Sequence, residues 1–312
     1  MKKAPTGEGW ISSGTDPFLA EARTRPEARS DQLKVKTLTT LMIDNSGSMN
    51  RKSHYRSSDL ANSTQLTVLA TLEQELNKWI KRPMKQNAFF MDGGEIAIGT
   101  FAGYENSHFG VDVEYEWLTS LSNYSTPFVS AIDLKKVGPI SPTKGFTPGF
   151  SAIINAIQET RSRKIELEKF GIALEHPPIV FLLTDGQFES DHDRVSMNDA
   201  RKAIEIAETD KGLSLLFFIV GFGDADSAQC SELAPKSFYP IETGEETLAD
   251  IMNVFQLVSQ SVAMTGGDSY EFIRSRYEAY RKDFKCIACG RHFNFREKSA
   301  LDPSNCKQCR GS

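Results

Sequence analysis

A buried strand that ends in an acid and two hydroxyls is the feature that most constrains this sequence. Residues 35–44 are mostly apolar or β-branched and do not alternate with polar residues, which predicts a central strand buried on both faces. Asp44, Ser46 and Ser48 follow at alternate positions. Loops at the carboxyl ends of strands bind ligands in open α/β sheets. Three hard oxygen groups on one such loop suit a divalent cation such as Mg²⁺ or Mn²⁺.

Apolar strands alternate with amphipathic helices over about residues 35–262. Further buried strands are predicted at 96–101, 179–184 and 213–220, and an alternating, half-exposed edge strand at 111–117. Helices are predicted at 66–80, 150–157, 195–208 and 248–262, with a short one near 128–137. The pattern predicts an α/β fold with a doubly wound, mostly parallel sheet and helices on both faces.

The length of 312 residues allows one large domain and a small module. We expect a flexible arm at 1–33, the α/β domain at 34–263, a linker or helix at 264–284 and a cysteine module at 285–312. No apolar run approaches the roughly 20 residues of a membrane span. The absence of an export signal predicts a cytoplasmic protein, and the net charge of −5 argues against a generic nucleic-acid binder.

Two Cys-x-x-Cys pairs stand close to the C-terminus. They are Cys286 with Cys289 and Cys306 with Cys309, separated by 16 residues. Two such turns complete a tetrahedron of thiolates, so the spacing predicts a four-cysteine Zn²⁺ site. The residues 293–295 between the pairs suit a short hairpin of a zinc ribbon. Such a ribbon either binds nucleic acid or serves folding and protein docking, and we favour the second.

Two more loops carry oxygen groups that match the first one. Thr147 precedes a predicted helix, and Asp185 follows the apolar strand and is itself followed by Gly186. Together with the loop at Asp44, this set resembles the von Willebrand factor type A (VWA) domain and its metal-ion-dependent adhesion site. The resemblance covers about residues 35–262 and implies a Rossmann-like fold.

The resemblance also implies roles for the matched residues. Ser46, Ser48 and Thr147 would offer hydroxyl oxygens to Mg²⁺ or Mn²⁺, while Asp44 and Asp185 would hold waters and hydroxyls. An ion bound mainly by neutral hydroxyls stays electrophilic, so it can take an Asp or Glu from another protein. The sequence departs from the usual pattern in having Phe where many members have a second Gly before Thr147, and in an extended basic loop after Ser48.

That basic loop contains four residues that we consider as a partner-binding rim. They are Arg51, Lys52, His54 and Arg56. The loop is either simply solvated or a surface that recognises an acidic partner, and the sequence does not favour one interpretation over the other.

A catalytic site is a second interpretation of the same loops. Bound Mg²⁺ can activate water for phosphoryl hydrolysis, and a strand-end Asp can accept a phosphoryl group. Phosphatases of the haloacid dehalogenase type have a second Asp two residues after the first, whereas this chain has Ser46. His192 is the only tempting general base, and a His in a charged loop is more often solvated. We therefore interpret the site as a binding site.

A VWA domain followed by a four-cysteine ribbon resembles the TerY family of bacterial stress-signalling and tellurite-resistance components. The resemblance implies partnership with a protein kinase and a metal-dependent protein phosphatase. We expect a non-enzymatic cytoplasmic adaptor whose metal site binds an acidic residue of a protein partner. The alternatives are a nucleic-acid-binding protein that acts through the ribbon and, less favoured, a metal-dependent phosphohydrolase.

Overall fold

The computed structural model describes twelve stretches of the chain. They are residues 35, 37–52, 66–106, 110–119, 126–143, 145–188, 193–210, 212–241, 249–265, 270–281, 284–285 and 292–293. All belong to one compact unit, Val35–Ser312. The predicted arm, the four predicted zinc ligands, His54, Arg56 and His192 lie outside these residues.

The main sheet has seven strands among the described residues. They are β1 (Thr37–Asp44), β2 (Gly94–Asn106), β3 (Gly110–Trp117), β4 (Val129–Ser130), β5 (Ile179–Thr184), β6 (Leu216–Phe222) and β7 (Phe238–Ile241). Their order is β3-β2-β1-β5-β6-β7, and β4 also pairs with β2. Along the row β2-β1-β5-β6-β7, each strand runs parallel to its neighbours. Strands β3 and β4 are antiparallel to β2.

Helices connect these strands. They are α1 (Val68–Lys81), α2 (Ala88–Met91), α3 (Gly149–Lys169), α4 (Met197–Thr209), α5 (Ser227–Leu233), α6 (Ala249–Thr265) and α7 (Tyr270–Arg281). Helix α1 begins where the Thr67 side chain accepts a hydrogen bond from the Ala70 N–H, and Pro83 follows its end as predicted. Ser196 caps α4 in the same way, accepting from the Asp199 N–H.

Burial on both faces explains why the strands show no polar alternation. In β1, Leu41 and Ile43 pack in one apolar cluster with residues of α1, α6 and α7. Met42 points into a second cluster with residues of α3, α4 and α5. The same division of faces recurs in β5 and β6. The predicted mostly parallel sheet with helices on both faces is therefore confirmed.

The edge strand is also as predicted, whereas the region before Thr147 is not. Glu114 and Glu116 of β3 are exposed, and the alternating residues Val113, Tyr115 and Trp117 are partly buried. The short helix predicted near 128–137 is wrong, because β4 and a turn occupy this segment. Its side chains are buried at every third position from Phe128 to Ile140, a spacing that an irregular extended chain produces as well as a helix.

Helix α7 lies in the segment predicted as linker or helix and packs against the α/β core. Ile273 and Tyr277 are buried, and the Tyr277 O–H donates to the Pro240 carbonyl at 2.6 Å. The Tyr270 O–H donates to Glu208 and its oxygen accepts from the Phe217 N–H at 3.0 Å. These contacts attach α7 to the edge of the sheet at β6 and β7.

The two short strands of a hairpin flank the first cysteine pair in sequence. Strand β8 (Phe284–Lys285) pairs antiparallel with β9 (His292–Phe293). The sequence predicts a hairpin at 293–295, between the two cysteine pairs, and residues 294 and 295 lie outside the described stretches.

None of the helices in the described stretches combines the length and the apolar character needed to cross a membrane.

Candidate metal centre

The centre lies where β1 and β5 end side by side. Ile43 is in register with Leu183, so the residues that follow, Asp44 and Thr184, are level at the edge of the sheet. The Thr184 O–H donates to Asp44 Oδ2 at 2.8 Å, and Asp185 comes next in the chain. Strand β2 pairs with the opposite side of β1, so the sheet grows outward from β1 in both directions and the strand order reverses at this point. Such a switch point is where open α/β sheets form ligand crevices.

Main-chain hydrogen bonds bring Thr147 to the same place. Gly103 of β2 and Phe146 exchange two bonds, at 2.9 and 3.0 Å, and the Gly47 N–H donates to the Gly145 carbonyl at 3.0 Å. A Cβ at position 145 would lie 1.3 Å from the Gly103 carbonyl oxygen, so only glycine permits this close approach. The loop before α3 is therefore fixed to both β2 and the serine loop.

Asn45 holds the preceding segment, a role that the sequence interpretation missed. Its carbonyl accepts from the Thr143 N–H at 2.9 Å and from the Thr143 hydroxyl at 3.1 Å. Its side-chain amide donates to the Ser141 carbonyl at 3.0 Å. The available signal was an amide side chain at the end of a buried strand, where a partner is required.

All five predicted ligand-site residues join one hydrogen-bonded network. The Thr147 hydroxyl donates to Ser46 Oγ at 2.9 Å, and Ser46 Oγ lies 3.1 Å from Ser48 Oγ. The Ser48 hydroxyl donates to Asp185 Oδ1 at 2.7 Å. The Ser46 N–H donates to Asp44 Oδ1 at 2.9 Å. The two acids thus anchor the hydroxyls that the sequence places at the centre.

The spacing of the hydroxyls fits a small divalent cation. Octahedral Mg²⁺ holds oxygens at 2.0–2.1 Å, so that adjacent ligand oxygens lie about 3 Å apart. The distances between the hydroxyl oxygens of Thr147, Ser46 and Ser48, 2.9 and 3.1 Å, match this value. A Cβ at Gly186 would lie 3.0 Å from Thr147 Oγ1 and 3.6 Å from Ser48 Oγ, so the glycine keeps space open beside them. The pocket at this point has a volume of about 290 Å³.

Burial makes both acids costly to ionise. Asp44 is fully buried, and its burial, followed by the nearby charge of Asp185, raises its pKa to about 7 against the hydrogen bonds from Ser46 and Thr184. Burial also raises the pKa of Asp185, opposed by the Ser48 hydrogen bond and by the charge of Arg51. A cation among the hydroxyls would stabilise both carboxylates in their ionised form.

Arg51, one of the predicted rim residues, also reaches into the centre. Its Nη2 donates to Asp185 Oδ2 at 2.9 Å, and its Nη1 donates to Asp224 Oδ2. Asp224 is a second residue that the sequence interpretation missed. The signal for it was the one used elsewhere, an acid shortly after the end of a buried strand, here β6. When ionised, the three carboxylates and one guanidinium leave two negative charges, which a divalent cation would balance.

Of the other predicted rim residues, Lys52 belongs to the described stretches, whereas His54 and Arg56 lie outside them. Lys52 is exposed and pairs through its backbone with Thr67. His192, which the sequence analysis set aside as a general base, lies outside the described stretches; its neighbour Asp193 accepts from the Ser151 N–H at 3.0 Å near the start of α3. The described residues that line the pocket include no histidine or cysteine. Across the described stretches, no three His, Cys, Asp or Glu side chains form a group that could hold a metal ion.

Comparisons with known proteins give distant structural similarities. No protein-family model matches the chain, and no curated protein matches it. Among solved structures, the chain is similar to proximal thread matrix protein 1 from the mussel byssus, with TM-score 0.43, 18% identity and coverage of 73% of this chain and 47% of that one. It is similar to the PilB minor pilin from Streptococcus sanguinis, with TM-score 0.40, 12% identity and coverage of 75% and 64%.

A third similar structure is the ArnB paralog VWA2 from Sulfolobus acidocaldarius, with TM-score 0.35, 16% identity and coverage of 72% and 45%. The match spans less than two thirds of each of these three proteins. The chain itself has a mostly parallel α/β sheet with helices on both faces.

Proposed function

We propose that this protein binds a protein partner through Mg²⁺ or Mn²⁺ held at the carboxyl ends of β1 and β5. The observation that supports this proposal is the set of three hydroxyl oxygens, of Ser46, Ser48 and Thr147, spaced for one small cation beside two buried acids. A bound ion would supply an electrophilic position for a carboxylate oxygen. The partner would therefore offer an exposed Asp or Glu.

The residues of the centre have distinct tasks in this proposal. The three hydroxyl oxygens hold the ion, and the Thr147 hydroxyl donates a hydrogen bond to Ser46 Oγ. Asp185 accepts a hydrogen bond from the Ser48 hydroxyl, while Asp44 accepts one from the Ser46 N–H and so fixes the serine loop. Gly186 leaves room for the ion and for the incoming carboxylate.

We further propose that the protein is a non-enzymatic, cytoplasmic adaptor of the TerY type. Its partners would include a protein kinase and a metal-dependent protein phosphatase of a stress or tellurite-resistance pathway. The four cysteines Cys286, Cys289, Cys306 and Cys309 would hold Zn²⁺ in a ribbon that forms a second docking surface. Elemental analysis of the purified chain tests the ribbon, since one equivalent of zinc should fall to none when Cys286 and Cys289 are both replaced by serine.

The metal-dependent interaction is tested with the wild-type chain and two variants. Ser46→Ala removes one hydroxyl, and Asp44→Ala removes the acid that fixes the serine loop. Titration calorimetry with Mn²⁺ should show one site in the wild type and a loss of at least tenfold in affinity in each variant. Capture of the candidate kinase and phosphatase should need Mg²⁺ or Mn²⁺ and should fail in EDTA.

Ser162→Ala is the matched control for the lost hydroxyl. Ser162 is exposed on the later half of α3, whereas the centre lies at the start of that helix. This variant should bind Mn²⁺ and partners as the wild type does. Partner capture that is unchanged by EDTA and by both site variants would show that the metal has no part in the interaction.

A further inference from the structure

Arg51 is held by the backbone at the mouth of the centre. It follows the 3-10 turn Gly47–Asn50 directly, and its N–H donates to the Ser48 carbonyl at 3.2 Å. Its own carbonyl accepts from the Val68 N–H at 3.0 Å, at the start of α1. Because the main chain is bonded on both sides, the guanidinium has a fixed origin beside Ser48.

The guanidinium joins two carboxylates of very different exposure. The Asp185 side chain is 0% exposed and that of Asp224 is 79% exposed, while the Arg51 side chain is 34% exposed. A planar guanidinium can donate to both at once, which an ammonium on a flexible stem does less well. Arg51 therefore places one positive charge between the buried acid of the centre and an acid at the surface.

The two carboxylate oxygens of Asp185 consequently have different partners. Its Oδ1 accepts from the Ser48 hydroxyl, one of the oxygens proposed to hold the cation, and its Oδ2 accepts from Arg51. A divalent ion among the hydroxyls would lie close to the guanidinium and repel it. Like charges a few ångströms apart interact by roughly 1 kcal/mol or more even in water, and by more where water is partly excluded.

We propose that Arg51 is a built-in competitor of the divalent cation, which neutralises Asp185 and keeps the affinity of the centre below the value its oxygens would otherwise give. Asp224 acts in the opposite direction, because it draws part of the guanidinium's charge away from Asp185. This inference rests on the proposed function, since it concerns the regulation of the same cation site. It means that any contact which pulls Arg51 from Asp185, including an acidic group of a partner, strengthens cation binding.

The test is a Mn²⁺ titration of the full chain by calorimetry, comparing Arg51→Met with Lys52→Met. Both substitutions remove one positive charge, and the two residues are adjacent, but only Arg51 contacts the acids of the centre. Arg51→Met should bind Mn²⁺ on the order of tenfold more tightly than the wild type. Lys52→Met should stay within about twofold, because an exposed charge is screened.

Asp224→Asn is the second variant, and because the Asp224 side chain is exposed the substitution leaves the core packing intact. It should weaken Mn²⁺ binding about threefold, and this effect should shrink in the Arg51→Met background because the two residues act through each other. Glu232→Gln, an exposed acid on α5, is its control and should leave the affinity unchanged.

The outcomes separate this inference from the proposed function. If the wild type binds Mn²⁺ and Arg51→Met binds it equally or more weakly, the competition is overturned, while the proposed cation site is still supported. Binding by Arg51→Met in the absence of measurable wild-type binding would support it in its strongest form. If Arg51→Met does not fold, Asp224→Asn decides, and unchanged or tighter binding there counts against the inference. No binding by any variant would contradict both proposals.

Discussion

Glu95 and Asp44 are both buried acids on neighbouring strands, and they differ in what faces them. Glu95, near the start of β2, accepts two hydrogen bonds from the Arg163 guanidinium, both at 2.8 Å. Asp44, at the end of β1, accepts from the Ser46 N–H and the Thr184 O–H, and the described residues give it no hydrogen-bonded cation. The first acid is balanced within the fold, whereas the second retains a charge that an added ion could balance.

The pKa shifts of the two regions follow from this difference. Burial alone would lower the pKa of Arg163, but its hydrogen bonds and charge interaction with Glu95, and then those with Glu166, raise it above its ordinary value. Burial raises the pKa of Asp44 to about 7, and the neighbouring charge of Asp185 adds to the shift. A paired buried charge serves the fold, while an unpaired one at the end of a strand indicates a site for a ligand.

The largest expected effect is the loss of stability when the Glu95–Arg163 pair is broken. Arg163→Met should lower the free energy of unfolding by about 3–5 kcal/mol, because Glu95 would stay buried without a cationic partner. Urea unfolding monitored by circular dichroism, in buffer with EDTA, measures it. A loss below about 1 kcal/mol would mean that water reaches Glu95 in the variant. The surroundings of Glu95 and Asp44 would then not differ as described.

The next effect concerns Asp44, the buried acid without a cationic partner among the described residues. Asp44→Asn should raise the free energy of unfolding in EDTA by about 2 kcal/mol at pH 8, because the buried charge is removed and the amide can still accept from Ser46 and donate to Thr184. Saturating Mn²⁺, at a hundred times its dissociation constant, should add about 2.7 kcal/mol to the wild type and nothing to the variant. A variant that unfolds more easily than the wild type in EDTA would contradict this prediction.

A smaller effect is expected from filling the space beside the hydroxyls. Gly186→Ala should weaken Mn²⁺ binding about tenfold, since its Cβ would lie 3.0 Å from Thr147 Oγ1, while the stability in EDTA changes by less than about 1 kcal/mol. Gly186 does not have a positive φ, so alanine brings no backbone strain there. Gly138→Ala, which adds a Cβ with nothing within 4 Å, is the control, and equal Mn²⁺ affinity in the two variants would exclude a role for this space.

The smallest effect is expected at an ion pair near the surface. Arg161 contacts Asp210 at 3.2 Å, and the Asp210 side chain is 37% exposed. Arg161→Met should therefore lower the free energy of unfolding by less than about 1 kcal/mol. Urea unfolding beside Arg163→Met makes the comparison direct, and a similar loss in both variants would show that burial does not separate the two pairs.

The sequence predicted the sheet from local patterns, whereas the grouping of all five site residues also needed the resemblance to the VWA domain. Apolar runs identify buried strands, and the ends of parallel strands meet at one edge, so Asp44 and Asp185 could be placed together without coordinates. The extended segment at 128–137 was missed because burial at every third residue suits two conformations. The four residues of β7 form too short a strand to give a pattern.

Contacts between distant side chains could not be predicted in the same way. Arg51 looked like one cation among several in a basic loop, and its pairing with Asp185 and Asp224 depends on how three separate loops meet. Asn45 stands between two residues that were recognised, but its bonds to Thr143 and Ser141 join segments almost a hundred residues apart. Such pairs carry no periodicity that a single sequence reveals.

The main-chain bonds that tie Gly145 and Phe146 to their neighbours also have a kinetic consequence. They hold Thr147 beside the serine hydroxyls, so the chain needs little ordering when an ion enters. Mg²⁺ gives up its waters reluctantly. We therefore expect the rate of Mg²⁺ uptake to follow the release of water from the ion rather than the movement of a loop, which makes Mn²⁺ the faster-exchanging of the two ions.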